Sequence, residues 1–134
     1  MALEYLFDTN AASDLMKGQQ PMLTQRFVTA AQGSIALSAI TEAELRYGAA
    51  RRPESVRLRI AVEATLANLP VLPWDSAAAR AYGHLRAHLE RVGRPLSSED
   101  LLIAAHALSQ GLTLVTRDQA FSIVDGLRTQ DWTQ

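Results

Sequence analysis

A chain of 134 residues that is 48% hydrophobic and 20% charged is sized for one compact globular domain, residues 1–134, with its own core. It holds no cysteine and carries a formal net charge of −1; this excludes disulfides, thiolate zinc sites and cysteine nucleophiles, and argues against nonspecific coating of nucleic acid through a positive excess. With no apolar run of about eighteen residues and no basic leader in Met1-Ala2-Leu3-Glu4, neither membrane insertion nor secretion is signalled, and a cytoplasmic protein is expected.

Leu3 to Phe7 is a β-prone run that stops at Asp8-Thr9-Asn10, residues that favour turns and helix caps, so a buried strand feeding a helix is predicted. A second helix starts near Pro21, carries Leu23, Phe27 and Val28 at helical spacing, and stops by Gly33. Ser34 to Leu37 reads as the next strand. The run Ser38 to Leu45 opens a helix capped by Ser38 or Thr41, with Leu45 and Tyr47 on its apolar side and a break near Gly48 or Pro53. Val56, Ile60 and Leu66 keep a helical rhythm from Glu54 to Asn68, which Pro70 ends, and Val71-Leu72 is a short strand candidate.

Asp75 caps an Ala-rich helix through Ala81, Leu85, Leu89 and Val92, closed by Gly93. Ser97 or Ser98 caps another containing Leu101 to Ala105, which stops at Gly111, before the clearest strand of the chain, Leu112 to Val115. The apolar tail, with Phe121, Ile123, Val124 and Leu127, adds a last short strand near Thr129 to Trp132. Strands alternating with helices and lacking hairpin signals predict a three-layer α/β/α sandwich with a central parallel sheet of four to five strands.

In open parallel sheets, sites form beyond the carboxyl ends of the strands. Asp8 follows the first strand, Glu44 lies early in the helix after the second, Asp100 starts a capped helix, and Asp118 follows the strand ending at Val115. Four carboxylates brought together oppose one another's ionisation, a conflict that a hard divalent cation with oxygen ligands removes; Mg²⁺ or Mn²⁺, one or two ions per site, is therefore expected. Each acid alone has an ordinary explanation: Asp8 as a helix cap, Thr41-x-x-Glu44 and Ser97-x-x-Asp100 as capping boxes, Asp118 as a turn residue. Their joint placement favours function.

Tyr5-Leu6-Phe7-Asp8-Thr9-Asn10, the run Ser38 to Gly48, Gly93-Arg94-Pro95-Leu96 to Asp100 with Ile103-Ala104-Ala105-His106-Ala107, and Leu114-Val115-Thr116-Arg117-Asp118 together resemble, in order and spacing, the successive motifs of VapC-type PIN-domain toxins. The resemblance covers nearly the whole chain and extends to Gly126 to Trp132. It implies that Glu44, rather than Glu42, is the catalytic glutamate, and that Asp100, rather than Glu99, is the third acid. The fourth position, here Asp118, varies within the family between Asp, Asn and other polar residues.

A toxin of this kind implies a metal-dependent endoribonuclease, with cation-activated water cutting a phosphodiester to leave 5′-phosphate and 3′-hydroxyl ends. Asp8, Glu44, Asp100 and Asp118 would hold the metal, and Thr9, Asn10, Ser38 and Thr116 are candidates for orienting ligands or substrate. Of the basic residues, twelve are Arg and only Lys17 is Lys; Arg46, Arg94 and Arg117 are candidates for RNA phosphates, a salt-bridged surface being the competing account. The family also implies a VapB-like antitoxin in an apolar groove, a homodimer and higher assembly with the antitoxin, and DNA contact only through that partner.

Other readings are weaker. His84 and His88 share a helix face but lack the glutamate of a zinc protease motif, His106 reads as a packed histidine, and Trp74 and Trp132 as packing residues. A HAD-like phosphatase is disfavoured because the second expected Asp is Asn10. A non-catalytic PIN-type RNA- or protein-binding adaptor would be expected to have lost its acids.

Overall fold

The computed structural model describes residues 2–134; Met1, read with Ala2 to Glu4 as lacking a leader, lies outside them. The elements run β1 (Tyr5–Phe7), α1 (Thr9–Lys17), α2 (Pro21–Thr29), β2 (Ile35–Ser38), α3 (Ala39–Ala50), α4 (Val56–Asn68), β3 (Val71–Leu72), α5 (Ser76–Arg91), α6 (Ser98–Gln110), β4 (Thr113–Val115), a 3₁₀ turn (Gln119–Ile123) and β5 (Thr129–Gln130). The five strands form one sheet in the order β3-β2-β1-β4-β5, with every pairing parallel. The expected sandwich is therefore present, with five strands.

The three central strands β2, β1 and β4 are short but largely buried on both sides, and their alternation sorts the core into two layers. Leu6, Ala36 and Leu114 point to one side, where they meet Leu85 and Leu89 of α5 and Leu101, Ile103, Ala104 and Ala107 of α6. Phe7, Ile35, Leu37 and Val115 point to the other, against Ala11, Leu23, Leu45, Val62 and Trp132. Burying Leu6 and Phe7 completely contributes roughly 1.5–3 kcal/mol each, which is why a three-residue strand suffices at the centre of the sheet. Trp132 is buried and meets the rings of Tyr5 and Phe7 edge to face at 4.9 and 5.3 Å.

Helix α3 bridges the layers, packing on α1, α4 and α6. It is capped by Ser38, whose Oγ accepts from Ile40 N–H at 3.1 Å; Thr41, the other cap candidate, is instead buried inside the first turn. Gly111, with φ of 66°, closes α6 and turns the chain into β4.

Several apolar expectations are corrected. Val28, Tyr47, Val56, Ile60 and Val92 are exposed; in α4 it is Leu58, Val62 and Leu66 that face the core. Trp74 is half-buried, as a packing residue, against Tyr82 with its Nε1–H donating to Leu102 O at 3.0 Å. Among the described residues no helix is long and apolar enough to cross a membrane.

Candidate active site

The sheet order makes β1 the central strand, with chain direction diverging to β2 on one side and β4 on the other. Such a switch point opens a crevice at the carboxyl edge of the strands. Asp8 sits there, one residue beyond β1, its backbone N–H donating to Val115 O at 3.1 Å and so extending the β1–β4 pairing. Its Oδ1 caps α1, accepting from Ala11 N–H at 2.7 Å. The capping explanation is correct, and it leaves the functional one intact, because a carboxylate has a second oxygen.

A cleft of about 270 Å³ opens beside it, lined by Asp8, Thr9, Asn10, Glu44, Glu99, Asp100 and Ile103. Asp8 comes from the end of β1, Glu44 from the second turn of α3, and Glu99 and Asp100 from the first turn of α6. Asp118, exposed at the start of the 3₁₀ turn, stands close enough to act electrostatically on both Asp8 and Asp100. Its own geometry is set by Thr116, whose Oγ1 accepts from Asp118 N–H at 3.0 Å, and by Ala120 N–H, which donates to Asp118 Oδ1 at 2.9 Å.

Charge crowding is legible in the titration of these groups. Burial, opposed by hydrogen bonds from Thr116 and Ala11 and reinforced by the charges of Asp100 and Asp118, lifts the Asp8 carboxyl from 3.8 to about 6. Burial also raises Asp100, with Asp118 adding to it against the pull of Ser97. Glu99 is raised by burial and by Glu44 and Asp100, while the Thr9 hydroxyl lowers it. Acids that oppose one another's ionisation across one cleft are a recurrent mark of a functional site.

Glu99 is the residue that motif matching passed over. It is held by Thr9, whose hydroxyl donates to Glu99 Oε1 at 3.1 Å and lies 3.3 Å from the Thr41 hydroxyl. The contact joins residues ninety positions apart, so no local spacing announces it; the adjacent pair Glu99-Asp100 at a helix start was the available signal. Thr9 and Asn10 line the cleft, and Thr116 supports Asp8 and Asp118. Ser38 is fully buried and turns to His106 Nδ1 at 2.7 Å.

None of the three candidate arginines lines the cleft, although Arg117 feels the charge of Asp8. Arg46 is held by Glu42 and Glu63 beside a separate depression between α3 and α4. Arg117 pairs with Asp14 at 2.9 Å, and Arg94 is exposed in the connection into α6. Among the described residues no three His, Cys, Asp or Glu side chains are already drawn together as a metal-binding group. Asp8, Glu44, Glu99 and Asp100 share the cleft, with acidic donors made of oxygen alone, while Asp118 stands outside its lining.

Comparison with known proteins places this arrangement. A family model described as the PIN domain matches residues 5–127. The tRNA(fMet)-specific endonuclease VapC of Shigella flexneri is 38% identical over 131 residues, covering 97% of this chain and 98% of its own. The crystal structure of DNA-bound VapBC from Salmonella typhimurium matches with a TM-score of 0.88 at 35% identity, over 97% of this chain and 98% of that one. VapBC2 from Rickettsia felis, bound to a DNA fragment from its promoter, also matches with a TM-score of 0.88, at 27% identity over 96% and 98% of the two chains. With its acids at the carboxyl edge of a five-stranded parallel sheet and its likeness running almost end to end, the chain belongs to the PIN-domain family and, within it, to the VapC type.

Proposed function

We propose that this protein is an endoribonuclease, the toxin of a VapBC-type pair, that hydrolyses a phosphodiester bond of RNA in a divalent-metal-dependent reaction. The observation that carries the reading is Asp8: buried, raised to about 6, and electrostatically coupled to Asp100 and Asp118 across a cleft that Glu44 also lines. A carboxylate in that position is costly for folding alone, which is expected where a side chain serves chemistry. A non-catalytic adaptor gives no reason to keep it.

The donor set fits Mg²⁺ or Mn²⁺, hard cations that take oxygen ligands, with Asp8, Glu44 and Asp100 as holding residues and Asp118 at the rim. Bound there, the cation would supply Lewis-acid activation of water and neutralise charge on the phosphoryl oxygens. The chain's own contribution is orientation. Ala11 N–H and the Thr116 hydroxyl hold Asp8, Ser97 fixes the first turn of α6 through Asp100 N–H at 3.2 Å, and Thr9 ties Glu99 to the cleft wall. Thr9 and Asn10, which line the cleft, would meet the substrate backbone.

The Shigella relative's name makes transfer RNA the first substrate to test, and the VapBC complexes among the structural neighbours support a VapB-like partner that brings any contact with DNA. A homodimer is part of the same proposal. The test is cleavage of total RNA and purified transfer RNA by the isolated protein with Mg²⁺ or Mn²⁺, beside Asp8→Asn and Asp100→Asn. Cutting by the wild type that both substitutions and EDTA abolish is expected; equal cutting by all three proteins refutes the mechanism.

A further inference from the structure

His106 is fully buried in α6, two turns beyond Asp100, and the reaction proposed above makes no use of it. Its Nδ1 lies 2.7 Å from the Ser38 hydroxyl. Ser38 Oγ is also the cap of α3, accepting from Ile40 N–H, so a single hydroxyl joins the start of α3 to the interior of α6. Nε2 has no hydrogen-bond partner among the described residues, and the Pro73 carbonyl, in the connection between β3 and α5, stands near the ring. Ser38 Oγ accepts from Ile40 N–H and donates its own hydrogen to Nδ1, which leaves the ring proton on Nε2. Burial lowers the pKa of His106, in keeping with a neutral ring.

A buried imidazole with one unsatisfied nitrogen costs folding free energy that an apolar residue of similar size would not. Here the cost is tied to a geometric result. The first turn of α3 is gripped twice: at Ser38 by His106, and at Thr41 by the Thr9 hydroxyl that also holds Glu99. Glu44 follows Thr41 by three residues and so lies on the same side of the helix. We propose that His106 is a positioning residue, whose contact with Ser38 fixes the start of α3 on α6 and thereby sets the Glu44 carboxylate against Asp100. The consequence for catalysis rests on the nuclease reading; the pin itself does not.

The test compares His106→Leu, His106→Asn and Ser38→Ala in the full chain. Asparagine keeps a polar atom near the place of Nδ1, leucine fills the space without one, and Ser38→Ala removes the same contact together with the acceptor of Ile40 N–H. RNA cleavage should fall about tenfold in kcat for His106→Leu and Ser38→Ala, with KM within about twofold, because roughly one net hydrogen bond of alignment is lost; His106→Asn should stay within about threefold of wild type. Amide hydrogen exchange at Ile40 and Thr41 should accelerate about tenfold in His106→Leu, where the Ser38 cap itself is retained, with α5 unchanged. If the asparagine variant is as impaired as the leucine variant, or if exchange at the start of α3 is unaltered in His106→Leu, the pin is overturned. A wild type that cuts no RNA while the variants loosen α3 would reject the nuclease reading and uphold the pin.

Discussion

Replacing Asp8 by asparagine separates what the fold wants from what the site needs. The Asp8 carboxyl is raised from 3.8 to about 6, with burial the leading cause, and the side chain is 4% exposed. At about 1.4 kcal/mol per pKa unit, the ionised form costs the folded state roughly 2–3 kcal/mol at neutral pH. The sign follows from proton counting: between pH 4 and 6 the folded protein holds a proton that the unfolded chain has released, so stability falls as pH rises through that window and stays low above it. Asparagine resembles the protonated acid and caps a helix as well as aspartate does, so the cap to Ala11 survives. Asp8→Asn should therefore raise the melting temperature at pH 7.5 by roughly 6–10 °C for a domain of this size while abolishing RNA cleavage.

The assay is thermal unfolding of both proteins in EDTA at pH 5 and pH 7.5. The wild type should lose more stability than the variant between those values, the difference reporting Asp8 together with its coupling to Asp100 and Asp118. Adding Mn²⁺ at pH 7.5 should return stability to the wild type and do little for the variant, since a ligand of the folded state stabilises it by mass action. A variant that melts at or below the wild-type temperature at pH 7.5, with the same dependence on pH, would refute the account of Asp8 as a strained functional acid.

Glu99→Gln keeps an acceptor for the Thr9 hydroxyl but removes a charge beside Glu44 and Asp100; single-turnover cleavage should stay within about threefold of wild type, where Asp100→Asn falls at least a hundredfold, and a comparable loss in both would promote Glu99 to an essential acid. Trp132→Ala empties a buried site against Tyr5 and Phe7, and urea unfolding should show about 3–5 kcal/mol lost with an unchanged slope.

The order of elements was readable because the central strands are hydrophobic on both faces and most helices carry their own start: Asp8, Ser38, Asp75 and Ser97 all cap where expected. What periodicity could not rank was which of two apolar stripes faces inward. In α4, Leu58, Val62 and Leu66 recur every four residues, and so do Val56 and Ile60; only the packed neighbours decide that the first set is covered and the second exposed. The four acids were legible as an ordered set, and the cleft at β1 was legible from the parallel topology. Partners of charged side chains were not. Arg46 meets Glu63 across the α3–α4 connection and Arg117 meets Asp14 from the other end of the chain, pairings that depend on three-dimensional proximity alone.

The caps bear on the electrostatics as well as the fold. Asp8 begins α1, Ser38 begins α3 and Ser97 begins α6, so three helices direct their amino-terminal ends to the edge of the sheet that carries the acids. Each end bears a partial positive charge that favours nearby carboxylates by up to about 1 kcal/mol and fades within a turn. Asp8 lies inside that range at its own helix, yet its pKa still rises, because burial and the charges of Asp100 and Asp118 outweigh its hydrogen bonds to Thr116 and Ala11. Asp100, less buried and hydrogen-bonded through its backbone to Ser97, feels the same opposition less. The acid that the sheet buries most deeply is thus the one whose charge the protein alone stabilises least, and it is where a divalent cation would gain the most by binding.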